Sequence, residues 1–212
     1  MAHHTFKKKE AIEFGWKTFK SNWKILVAIF AVIGFVQWLP SNIRTGSDAE
    51  FTAPTAIALL LGIVLQSLTT IGTIVISLRL VDHKKPEVAD LFKHYRYILP
   101  YLLVAVMFLP FTVVASYIGP FVLLFLPFAI YFAIRLQFYA YFIIDKNMGP
   151  IESLKASWVI TKGMTMNLFL FGLLLAAIVM LGFVALIVGL LVALPVVSIA
   201  TAYVYRRLSP KS

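Results

Sequence analysis

The chain has 212 residues, of which 61% are hydrophobic and only 13% charged, with a formal net charge of +10. Mean hydropathy is +0.91. A soluble domain of this length would carry about a quarter charged residues, so this composition excludes an ordinary soluble fold and indicates a polytopic membrane protein. With no cysteine, disulfides and thiolate metal sites are excluded as well.

From the N-terminus, Ile12, Trp16, Phe19 and Trp23 recur at steps of four, three and four. Glu13, Lys17, Lys20 and Lys24 lie off that stripe. The pattern predicts a basic amphipathic helix over 6–24, with tryptophan in the headgroup region rather than a cleaved leader. A first span follows at 25–39, short for a bilayer that needs about 20 residues. A polar loop carrying Arg44, Asp48 and Glu50 leads to a second span that begins near Pro54 and reaches Leu80. Gln66, Thr69, Thr70 and Thr73 give it a mildly polar stripe, of the kind that bonds between helices.

Lys84, Lys85, Pro86 and Glu87 open a second surface segment. There Val88, Leu91, Phe92 and Tyr95 fall at i, i+3, i+4 and i+7, the spacing of a one-faced helix. A third span is expected at 98–118. Gly119 and Pro120 break it, and a fourth runs from Phe121 to Ile144 as the other arm of a tight hairpin. The turn Asn147-Met-Gly-Pro150 starts a third surface helix, on which Ile151, Leu154 and Trp158 face the membrane. The apolar run from Leu168 to Tyr205 is too long for one crossing. Gly182 and Gly189 divide it into spans near 166–183 and 186–205.

Of 19 lysines and arginines, 17 fall in segments on one side, Arg135 lies inside the fourth span, and only Arg44 falls on the other side. The positive-inside bias therefore predicts both termini in the cytoplasm. It also accounts for the net charge without a nucleic-acid partner. The expected fold is all-α, a single transmembrane domain over 1–212. It has six transmembrane helices in three hairpins, each preceded by a cytoplasmic interfacial amphipathic helix. The pseudo-repeat units are 6–80, 84–144 and 150–207. A shift of 142 lays Glu10 on Glu152, Trp16 on Trp158 and Lys20 on Lys162. Trp16, Trp23, Tyr95 and Trp158 are the expected interfacial anchors.

No metal-ligand spacing joins His3, His4, His83 and His94, and no phosphate loop or nucleophile–base set is visible. Neither a cofactor nor an enzymatic activity is expected. Arg135 stands out, because an intramembrane arginine costs about 2.5–3.5 kcal/mol on insertion and by default suggests function. Reckoned along an unbroken helix, it stands about 15 Å from Asp145. Gln137, Tyr139 and Tyr141 could complete a polar pocket around it, suited to a lipid phosphate or an anionic solute. The competing expectation is that Arg135 only snorkels to the headgroups.

The segment Glu10-Ala-Ile-Glu-Phe-Gly-Trp-Lys-Thr-Phe-Lys-Ser-Asn-Trp23 resembles the opening of a bacterial six-helix membrane family of unknown function. That family is related to the membrane domain of glycerophosphoryl diester phosphodiesterases. Arg135 to Asp145, Glu152-Ser-Leu-Lys-Ala-Ser157, Thr161-Lys-Gly163, Pro195 and Tyr203-Val-Tyr205-Arg206 are similar to its most recurrent part. The resemblance implies a six-helix bundle in the bacterial cytoplasmic (inner) membrane and carries no activity with it. The expected role is a non-enzymatic scaffold, sensor or interaction protein in contact with anionic membrane lipids. The alternative is a small transporter for an anionic or lipid-like solute.

Overall fold

The computed structural model describes residues 6–41, 53–118 and 122–209. The loop around Arg44, the break at Gly119 and Pro120, and His3 and His4 lie outside them. The helices are α1 (Lys8–Ser41), α2 (Ala53–Val81), α3 (Ile98–Ile118), α4 (Val122–Leu136), α5 (Tyr139–Lys146), α6 (Pro150–Ile160), α7 (Thr165–Val184) and α8 (Leu186–Leu208). Every regular element among the described residues is helical. Five stretches are long and apolar enough to cross a membrane: Lys8–Trp38, Leu59–Val81, Leu123–Lys146, Thr165–Val184 and Val188–Leu208. Large apolar side chains face outward along them, among them Leu60, Phe125, Phe128, Leu173 and Phe183. Such a surface suits lipid as solvent.

At the centre is α8, packed against α1, α2 and α7. Small residues permit this. A Cβ on Gly15 of α1 would stand 2.7 Å from the Val196 carbonyl oxygen. A Cβ on Gly189 would stand 2.2 Å from that of Gly182, so α7 and α8 turn through Ala185 alone. The two glycines therefore divide the long apolar run as expected, and the helices end within three residues of the anticipated limits.

Three elements bear on those expectations. First, the expected helix over 6–24 is present as the part of α1 before Asn22, whose non-helical backbone (φ −125°, ψ 22°) kinks α1 into two helices. It runs antiparallel along α8: Glu10 meets Tyr203 and Arg207, Phe14 stacks on Tyr203 at 4.7 Å, and Gly15 meets Val196 and Ala200.

Second, 84–98 is not a one-faced α-helix but two 3-10 turns, Val88–Leu91 and Tyr95–Tyr97. Leu91 is buried whereas Val88, Phe92 and Tyr95 are exposed. The cause is tertiary. Asp90 is drawn fully inside to bond Arg79 of α2 at 2.7 Å, and Leu91 lies backbone-to-backbone on Gly72.

Third, the fourth span is not one helix. It is broken between α4 and α5, and α4 packs on α6 and α7 while α3 packs on α2, α5 and α6.

Helix α6 does form after Asn147, whose left-handed backbone (φ 53°) ends α5. Pro150 occupies its first turn, and the Glu152 carboxylate accepts from the Gly149 N–H at 3.4 Å. Its fully buried face is polar, Ser153 and Ser157, continued by Thr161 just past its end. Ile151 and Val159 point outward, and Leu154 and Trp158 are half-buried.

Candidate functional site

The break between α4 and α5 frees backbone groups that an intact helix would pair. Side chains take over as their partners. The Phe138 N–H donates to Ser157 Oγ at 3.1 Å, and Ser157 Oγ donates to the Arg135 carbonyl at 3.0 Å. Gln137 Nε2 donates to the Ile134 carbonyl at 3.0 Å, replacing the Phe138 amide. Thr161 Oγ1 lies 3.1 Å from the Arg135 carbonyl, 2.8 Å from that of Ser157 and 3.3 Å from that of Trp158. One hydroxyl proton serves only one of these at a time, so Ser157 is the steadier partner of Arg135. Phe138, Ser157 and Thr161 are all fully buried, which makes these bonds obligatory.

The Arg135 side chain points onto α6. Its guanidinium carbon stands 4.2 Å from the centre of the Trp158 ring, which is flanked by Tyr131 at 5.9 Å and Phe132 at 5.7 Å. The residue is 3% exposed, and its Nε is buried with no hydrogen-bond partner. Among the described residues no carboxylate lies within ion-pair distance of it. A cation–π contact is therefore the contact that holds this guanidinium, whose Nε is shut away from solvent. The 15 Å spacing to Asp145 loses its meaning once the helix is broken, and Asp145 is already taken by Arg206 at 2.8 Å and the Tyr205 hydroxyl at 3.0 Å.

The polar pocket expected around Arg135 is not assembled. Gln137 bonds its own helix end, Tyr139 stacks on Tyr101 at 6.0 Å, and Tyr141 stacks on Tyr205 at 5.0 Å. The structure instead joins Arg135 to Trp158, one of the residues expected to be an interfacial anchor. Of the other anchors, Trp16, Trp23 and Tyr95 are exposed.

A second feature escaped sequence reasoning. The described acids are engaged inside the protein. Arg206 bridges Asp82 (2.7 Å) and Asp145, Arg207 meets Glu10 (3.1 Å), Arg79 meets Asp90, and Lys93 meets Glu87 (3.0 Å). The Lys93 bond holds the exposed Glu87 carboxyl below its ordinary range. Lys9 reaches Glu13 at 3.7 Å, and Glu152 caps α6. Their partners lie 3 to 197 positions away, with no short motif to reveal the distant ones. Lys17, Lys20 and Lys24 have no carboxylate within ion-pair distance among the described residues. Lys20 lies over Trp16 at 5.0 Å and Lys24 over Trp23 at 5.9 Å.

No group of three histidines and acids close enough to hold a metal ion occurs among the described residues. No family model, curated protein or solved structure matches the chain.

Proposed function

We propose that this is a six-span protein of the bacterial cytoplasmic membrane, with both termini cytoplasmic, that acts without catalysis by binding anionic lipid. The observation that carries this reading is the division of charge. The described acids are spent on internal pairs and a helix cap, whereas Lys17, Lys20 and Lys24 have no carboxylate partner among the described residues and lie near exposed Trp16 and Trp23. Unpaired lysines beside exposed tryptophans suit a lipid headgroup layer. The sixth span is α3, 21 residues without a charge, about 31 Å long at 1.5 Å per residue. Arg135, which has no carboxylate within ion-pair distance among the described residues, is a second candidate contact for a phosphate.

The test is native mass spectrometry of protein released from nanodiscs of mixed phosphatidylglycerol and phosphatidylcholine. Retention of phosphatidylglycerol well above its mole fraction is expected. Retention in proportion to the mixture overturns the reading.

A transporter for an anionic or lipid-like solute is the second reading, favoured by a helix interrupted next to Arg135 inside an apolar stretch. Against it, Ser157, Thr161 and Gln137 already occupy the groups that the break would offer a solute. Proteoliposome uptake of organic phosphates that is abolished by Arg135→Leu would favour it.

A further inference from the structure

The break that ends α4 changes where Arg135 stands. It lies in the last turn of a helix, not in the middle of one. Arg206 draws Asp82 and Asp145 together, so α2, α5 and α8 end on one face, the face proposed as cytoplasmic. α7 and α8 pack along each other and meet at the opposite face, where Gly182 touches Gly189. From that turn α7 extends over 20 residues, about 30 Å, and α8 covers about the same length to Arg206. Thr165, the first residue of α7, is therefore level with Arg206. Thr161, four residues earlier, touches the Arg135 carbonyl. Arg135 thus sits near the headgroups of that face.

Its charge is only partly answered there. The residue is 3% exposed, yet no hydrogen bond from its guanidinium to a protein acceptor occurs among the described residues. The Trp158 ring offsets the charge from one side. It supplies no acceptor in the guanidinium plane, where the N–H donors lie. Nε is shut away, which leaves the two Nη nitrogens to meet a ligand. Phe128, Phe132 and Arg135 fall at i, i+4 and i+7 of α4, and both phenylalanines are exposed. An apolar track therefore leads along α4 to a cation that lacks acceptors. An anion bearing an acyl chain satisfies both. Beside Arg135 no acid stands within ion-pair distance among the described residues to meet an ammonium, so the complement is a phosphate without a cationic headgroup.

We propose that Arg135 holds the phosphodiester of one anionic phospholipid of the cytoplasmic leaflet. The two non-bridging oxygens accept from the Nη donors, and the acyl chain lies along Phe132 and Phe128. Trp158 is the platform that fixes the guanidinium. The proposal rests on the lipid-binding reading and names its site.

Trp158 reports on this site. A protein carrying Trp16→Phe, Trp23→Phe and Trp38→Phe keeps it as the one tryptophan. This protein is reconstituted with phosphatidylglycerol or phosphatidylcholine, each brominated near the headgroup end of the chain, at equal mole fraction. Brominated phosphatidylglycerol is expected to quench Trp158 at several-fold lower mole fraction. The preference should survive about 1 M salt, where the Debye length is about 3 Å, because a buried fork is screened far less than surface lysines. Arg135→Gln should lower it at least about fivefold, the worth of one basic residue beside an anionic surface. Arg135→Lys, which keeps the charge without the fork, should fall between. Equal quenching by the two lipids overturns the proposal, as does a preference that salt abolishes or that both substitutions leave intact. Equal quenching together with an emission shift on adding inorganic phosphate, lost in Arg135→Gln, would give the fork to free phosphate instead. If phosphatidylglycerol is still selectively retained in native mass spectra, only this site is lost. If it is not, the lipid-binding reading falls as well.

Discussion

The Ser157 hydroxyl and the Arg135 carbonyl, 22 positions apart, form a buried 3.0 Å hydrogen bond that closes the end of α4. The same hydroxyl oxygen accepts the Phe138 N–H. Ser157→Ala removes both functions and leaves a buried amide unpaired. A loss of about 1–3 kcal/mol of stability is expected. Thr161→Val should cost less, because the Thr161 proton is shared among three carbonyls. Unfolding in mild detergent, followed by helical circular dichroism, measures both. Wild-type stability for Ser157→Ala would show that the break needs no clamp.

Arg135 separates structural from ligand roles. Arg135→Lys keeps the charge but loses the planar stack on Trp158 and any bidentate grip on a phosphate. Arg135→Leu removes the charge and should insert more easily, by about 2.5–3.5 kcal/mol on the insertion scale. The expected outcome is a leucine variant at least as abundant as wild type with reduced lipid retention, and a lysine variant in between. Equal retention in all three would leave Arg135 as a packing residue.

The close approach of Gly72 to Leu91 gives a second stability test. A Cβ on Gly72 would stand 2.5 Å from the Leu91 Cα and 2.8 Å from its carbonyl oxygen. Backbone atoms cannot swing aside as a flexible side chain does. Gly72→Ala should therefore push the 84–98 segment off α2 and loosen the Asp90–Arg79 pair, at a cost of about 1–3 kcal/mol. Faster tryptic cleavage after Lys84 is the readout, since Pro86 protects the bond after Lys85. An unchanged cleavage rate would mean that the segment is held elsewhere.

Topology is open to a direct measurement. In intact cells Gly46→Cys should react with a membrane-impermeant maleimide, whereas Lys85→Cys and Lys162→Cys should react only after permeabilisation. The reverse pattern would invert the positive-inside assignment.

How much of the fold is legible in the sequence depends on how local its cause is. The limits of α7 and α8 follow from Gly182 and Gly189, which lie within the elements they divide. Asn147, Gly149 and Pro150 likewise mark the passage from α5 to α6. The break at Gln137 and Phe138 has no such mark, because Ile134 to Tyr139 contains neither glycine nor proline. Its cause sits on α6, in hydroxyls spaced four apart at Ser157 and Thr161. That spacing is visible, but it reads as the wet side of a surface helix. Residues 84–98 depart from expectation for a similar reason: a helical spacing is overridden by one buried acid and one glycine on α2.

The antiparallel seam of α1 on α8 also has a clock in it. Glu10 bonds Tyr203, 193 positions further along the chain. At about 5–20 residues per second, that interval takes roughly 10–40 s to synthesise. For that time the small face at Gly15 has no Val196 or Ala200 to rest on, and Glu10 has no Arg207. The earliest helix must wait in the membrane, with its seam uncovered, for the helix that completes it. Whatever shelters it in the meantime, lipid or insertion machinery, is the first partner this chain meets.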